Sequence, residues 1–117
     1  MHIEAFYNYC LELPGTTEDF PFDGSTLVFK VMGKMYALTD VDSFESINLK
    51  CDPVRALELR SAYEEITPGY HMNKKHWNTV NTHGSISDEL IFALILHSYQ
   101  LVVQNLPKGL REELKST

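Results

Sequence analysis

The sequence predicts an α+β domain in two layers, with helices laid on one face of an antiparallel sheet. Three observations carry that prediction. Apolar residues recur at helical spacing near both ends of the chain, at Ile3, Phe6, Cys10 and Leu13 and again through Leu90, Ile91, Leu94 and Ile95. Between them Leu27, Phe29 and Val31 alternate with Val28 and Lys30, and Ile47 and Leu49 alternate with polar neighbours, which is the period of a strand. Proline, glycine and aspartate stand at the breaks. The resulting order is α-β-β-β-α-β-β-α, in one domain over residues 1–117.

The first helix ends at Pro14-Gly15, because proline cannot continue it and glycine tolerates the turn. Thr16 to Gly24 reads as an irregular acidic connection, with Phe20 and Phe22 tucking it onto the core. Ser25 to Asp40 forms a hairpin that turns at Gly33-Lys34 and returns through Met35-Tyr36-Ala37-Leu38. After a polar turn from Asp40 to Ser43, Ser46 to Lys50 supplies a third strand. Such a meander leaves one face free to receive helices.

Asp52-Pro53 opens the second helix, aspartate as a cap for free amides and proline where no donor is needed. Val54, Ala56 and Leu57 are expected to face inward. Ile66 to Met72 and Trp77 to Thr82 form a second hairpin, turning at Asn73-Lys74-Lys75. Ser87 caps the last helix, and Asp88 and Glu89 suit the positive end of its dipole. That helix carries a second apolar stripe, Phe92, Leu96, Tyr99 and Val103, which one sheet face does not explain. Either the first helix or the terminal segment covers it, or it is an interface for a protein partner or a second copy of the chain. Pro107 and Gly109 precede a short amphipathic tail with Leu110 and Leu114.

Charge narrows the partners. Sixteen carboxylates oppose ten lysines and arginines, a net charge of -6, which excludes broad charge-driven nucleic-acid binding. The charge is uneven. Residues 1–66 carry twelve acids and five bases, whereas residues 67–87 carry two lysines, three histidines and no acid. A local anion contact fits there. No apolar run is long enough to span a membrane, and the opening residues lack a signal-peptide pattern, so the expected compartment is the cytoplasm. Cys10 and Cys51 are expected as buried thiols rather than a disulfide.

Several stretches together resemble the YjbR/MmcQ family of small bacterial proteins. They are Leu13 to Phe22 (Leu-Pro-Gly-Thr-Thr-Glu-Asp-Phe-Pro-Phe), Phe29 to Met35, Ile47 to Cys51, Pro68 to Val80 and the final helix from Ser87. The resemblance covers nearly the whole chain. It implies the two-layer fold of that family, which is similar to secretion-chaperone domains, and a DNA-binding role through a double-wing arrangement of strands. No catalytic residues come with it.

The candidate nucleic-acid contacts are Lys34, Asn73, Lys74, Lys75, His76, Trp77 and Asn78. Lysines meet phosphates, asparagines can read base edges and tryptophan can stack on an unpaired base. Against this, Trp77 also suits a cross-sheet packing role and the lysines suit plain solvation. His71, His76 and His83 match no recurring zinc spacing, and neither cysteine lies in a nucleophile motif, so no metal, cofactor or enzymatic activity is expected. The leading reading is a DNA-binding module acting weakly through Tyr70–Val80. The alternative is a protein-interaction or small-ligand module acting through the second stripe of the last helix.

Overall fold

The alternating segments close into one antiparallel sheet of six strands in the computed structural model, which describes residues 1–116. The strands are β1 (Thr16–Asp19), β2 (Thr26–Val31), β3 (Lys34–Asp40), β4 (Ser46–Lys50), β5 (Ile66–Pro68) and β6 (Trp77–Asn81), in the lateral order β1-β2-β3-β4-β6-β5. The helices are α1 (Ile3–Glu12), α2 (Pro53–Ala62), α3 (Asp88–Gln104) and α4 (Lys108–Lys115). All four contribute to one core with Leu27, Phe29, Val31, Ile47, Leu49 and Val80 of the sheet. On the opposite face the buried apolar cluster among the described residues is Val28, Leu38 and Trp77, with Met35 and Met72 resting on them. The predicted two-layer α+β architecture is the observed one.

Two elements add to it. Thr16–Asp19, read as a loop, pairs with β2 as an edge strand, Thr16 facing Val31 and Asp19 facing Val28. Its side chains are mostly exposed, so the apolar alternation that marks a half-buried strand is missing there. The tail closes as α4, which buries Leu114 and half-buries Leu110.

The caps are those the sequence supplies. The Asp52 carboxylate accepts from the Val54 and Arg55 amides at 3.1 Å each, and the Ser87 hydroxyl accepts from Leu90 N–H at 3.2 Å. The first hairpin turns one residue earlier than Gly33-Lys34. Val31 pairs with Lys34, and Met32 and Gly33 both take positive φ, 50° and 80°. That is a type I′ turn, whose twist matches the strands, and it makes Lys34 the first residue of β3. On α2, Ala56 is buried and Leu59 packs on the core, whereas Val54 and Leu57 are exposed. Helical spacing cannot place both Val54 and Ala56 on one face, and the sheet takes the Ala56 side.

Register slips once between β2 and β3, leaving Tyr36 as an extra residue opposite the Phe29–Lys30 step. Its ring joins the helix-side core, and its hydroxyl donates to the Cys10 carbonyl at 3.2 Å and lies 2.9 Å from Thr16 Oγ1. One rung further, α3 enters the sheet's hydrogen bonding. Ala37 faces Leu49, so Tyr36 and Lys50 would be the next facing pair, but the Ser98 hydroxyl stands between them. It accepts from Lys50 N–H at 2.9 Å and donates to the Tyr36 carbonyl at 2.5 Å.

Cys10 and Cys51 are buried free thiols. Burial pushes the Cys10 thiol up to about 12, and the thiolate is the reactive form. Native protein should therefore resist iodoacetamide at Cys10 at mildly alkaline pH and react fully in concentrated guanidinium. Rapid native alkylation, followed by mass spectrometry, would contradict the burial.

Candidate functional site

The segment 69–76 does not extend the sheet. Pro68 ends β5 because it has no N–H to give the ladder. Gly69 N–H then donates to the Trp77 carbonyl at 2.8 Å, and the backbone is so close that a Cβ there would lie 2.7 Å from Trp77 Cβ. His71 takes a positive φ of 58°, turning the chain back. Tyr70 N–H donates to Thr79 Oγ1 at 2.9 Å, which draws Tyr70-His71-Met72 over the helix-free face. The predicted strand to Met72 is thus a three-residue strand followed by a folded-back loop. The turn at 73–76 is present, held by Lys75 N–H on Asn73 Oδ1 at 2.9 Å and His76 N–H on the Asn73 carbonyl at 3.2 Å.

The predicted contact residues divide into two groups. Trp77 is 8 % exposed and packs on Val28 and Leu38. Asn78 is 2 % exposed and points to the helix side, where its Oδ1 accepts from Arg60 Nε at 2.7 Å. Neither can stack on or read a base, and burial gives the reason: Trp77 covers the sheet and Asn78 anchors α2. His76 is half-buried, and its carbonyl accepts from Cys51 N–H at 2.8 Å. Lys34, Asn73, Lys74 and Lys75 are exposed.

The exposed lysines gather at one end of the sheet, together with the half-buried Lys50. Lys50 faces Trp77 across the β4–β6 pair, and Lys34 begins the neighbouring strand β3. Adjacent strands lie about 4.8 Å apart, so these three strand ends span about 10 Å. Lys34, Lys50 and Trp77 line a recess of about 300 Å³ with Val102 and Leu106 at the end of α3. Lys74 and Lys75 lie in the turn leading directly into Trp77. None of these four lysines is in an ion pair among the described residues, where the acids engage Lys30, Lys108 and the N-terminus instead. Lys50 carries no mark in the sequence beyond its place in an alternating strand, so its membership is visible only through strand register.

The second stripe of α3 lies mostly against α1. Tyr9 stacks on Phe92 with ring centres 4.6 Å apart, and the Tyr99 hydroxyl donates to the Pro14 carbonyl at 2.5 Å. Leu96 and Val103 are half-buried against the same core.

A feature that the sequence reading leaves out lies at the far end of the helix-free face. Phe22 from the loop before β2, Asp40 and Asn48 from the strands, and Tyr70, His71 and Met72 from the folded-back loop line a cavity of about 540 Å³. Phe22 and Tyr70 are 64 % and 68 % exposed. The signal available in the sequence was a pair of aromatics beside Pro21 and Gly69, where loops hold rings away from the core.

The four-helix, six-strand arrangement defines an α+β domain with one sheet face left open. The YjbR family description matches residues 11–101, and the chain belongs to that family. It is 43 % identical to YbdF of Escherichia coli O157:H7, over 90 % of this chain and 87 % of that protein. It is 33 % identical to YjbR of Escherichia coli K12, over 97 % of this chain and 98 % of that one. Among solved structures, the Deinococcus radiodurans protein DR2400, of domain family DUF419, shares 46 % identity. It superposes with a TM-score of 0.90 over 97 % of this chain and 87 % of that one. A Pseudomonas syringae protein matches at 32 % identity and a TM-score of 0.74, over 86 % and 98 %.

Proposed function

We propose that this protein is a non-enzymatic DNA-binding module that holds the phosphate backbone through Lys34, Lys50, Lys74 and Lys75. The observation that carries this reading is the gathering, at one end of the sheet of an acidic chain, of four lysines without carboxylate partners among the described residues. Lysine is a point charge suited to phosphate, and phosphate contacts position a protein without reading sequence. With Trp77 and Asn78 turned inward, the contact is backbone-only and indifferent to base sequence. The footprint is small, so binding is weak and strongly salt-dependent.

Charge reversal of both turn lysines, Lys74→Glu with Lys75→Glu, tests it. Each lost phosphate contact removes about one from the slope of log K against log salt, so the slope should flatten by about two, with weaker binding to every duplex tested. Fluorescence anisotropy across a salt series reads both quantities. Superimposable titrations of variant and parent would eliminate the reading.

A further inference from the structure

We propose that the cavity between Phe22 and Tyr70 on the helix-free face is a binding site for a small organic cation, an amine or quaternary ammonium ion. Its volume of about 540 Å³ lies within the range of small-molecule sites. The residues that line it include the Asp40 carboxylate and neither lysine nor arginine. Its rims are two exposed rings, and an aromatic face attracts a cation through its quadrupole. Aromatic faces around one carboxylate complement a cation carried on an apolar body, and the one basic side chain in the lining is the His71 imidazole, which lies against Tyr70 with ring centres 4.0 Å apart.

The site is built in advance. Asp40 Oδ1 accepts from Asp42 N–H at 2.8 Å, which fixes the carboxylate and leaves Oδ2 without a partner among the described hydrogen bonds. Asn48 Oδ1 accepts from the Thr79 hydroxyl, and Thr79 Oγ1 in turn accepts from Tyr70 N–H at 2.9 Å, so the floor and the Tyr70 wall are tied together. On the opposite wall Asp23 Oδ1 accepts from Ser25 and Thr26 N–H at 2.9 Å and 2.7 Å, holding the loop that carries Phe22. Those hydrogen bonds also lower the Asp23 pKa, which keeps a second negative charge beside the cavity. Three of the segments involved, the loop before β2, the end of β3 and the folded-back 70–72 loop, are far apart in sequence. Their convergence on one carboxylate is a property of the fold.

The experiment is a proton–nitrogen NMR titration of the full chain with choline, with its neutral isostere 3,3-dimethylbutan-1-ol, and with inorganic phosphate. Choline should shift the amides of Asp40, Asn48, Tyr70 and His71 saturably, with a dissociation constant of about 1 mM or tighter. The neutral isostere should bind about tenfold more weakly, because it loses the attraction to both the exposed rings and the carboxylate, and phosphate should leave these amides unmoved. Asp40→Asn and Tyr70→Ala, both at exposed side chains, should each weaken choline about tenfold with the rest of the spectrum unchanged. Equal binding of the isostere, preference for phosphate, or no saturable shift would overturn the assignment. The Lys74→Glu, Lys75→Glu protein should bind choline as the parent does, so this outcome is independent of the DNA reading.

Discussion

Ser98→Ala is expected to lower the unfolding free energy by about 2–4 kcal/mol, a large loss for one oxygen atom. Ser98 is fully buried, and its hydroxyl is the partner of both Lys50 N–H and the Tyr36 carbonyl. Alanine leaves these two main-chain groups without their partner, and each buried orphan costs about 1–3 kcal/mol. Some of that is recovered if Tyr36 and Lys50 move together to complete the ladder directly. Denaturant unfolding should show the midpoint falling at unchanged slope, the mark of a stability change without a change in exposed surface. Ser61→Ala, at an exposed serine of α2, is the control and should leave the midpoint in place. A Ser98→Ala midpoint matching that control would mean the strands close the gap unaided.

Arg60→Ala should be comparably damaging, by about 2–4 kcal/mol, for a related reason. The guanidinium binds Asn78 Oδ1 at 2.7 Å and the Trp77 carbonyl at 3.2 Å, and it also donates to the Lys74 carbonyl. One side chain thereby ties α2 to β6 and to the turn that presents Lys74 and Lys75. Asn78 Nδ2 is already without a hydrogen-bond partner among the described residues, so removing Arg60 orphans the whole amide. Replacing that amide by an apolar group of similar size should undo much of the loss, since the cost lies in the unsatisfied group. Arg60→Ala with Asn78→Leu is thus expected to be more stable than Arg60→Ala alone. Hydrogen exchange should accelerate at residues 73–76 in both proteins, because the turn loses its tether in each. If the double variant is the less stable one, Arg60 acts through packing of its stem and not through Asn78.

These two sites show where local reading of the chain stops. Caps, turns and periodicity are written in neighbouring residues, and they locate α1, α2, α3, the first hairpin and β4. An edge strand needs only one paired side, so Thr16–Asp19 carries no apolar alternation to betray it. Asn78 looks like a polar residue available to a ligand until β6 is paired on both sides and α2 delivers Arg60 to it. Val54 and Leu57 look like a buried stripe until the sheet takes the Ala56 side of the helix. Of the candidate site, the lysines at 74 and 75 were legible because they interrupt an acidic chain. Lys50 and the Phe22–Tyr70 cavity were not, since register and a left-handed residue at His71 assemble them from distant segments.

The two margins of the sheet are dressed differently, and both discourage growth. On one side β1 presents Thr17, Glu18 and Asp19 to solvent; on the other, β5 is three residues long and ends at Pro68. Charge repels an incoming strand of like kind, and proline offers it no donor. Fibrillar stacking of copies through their backbones is disfavoured at each border.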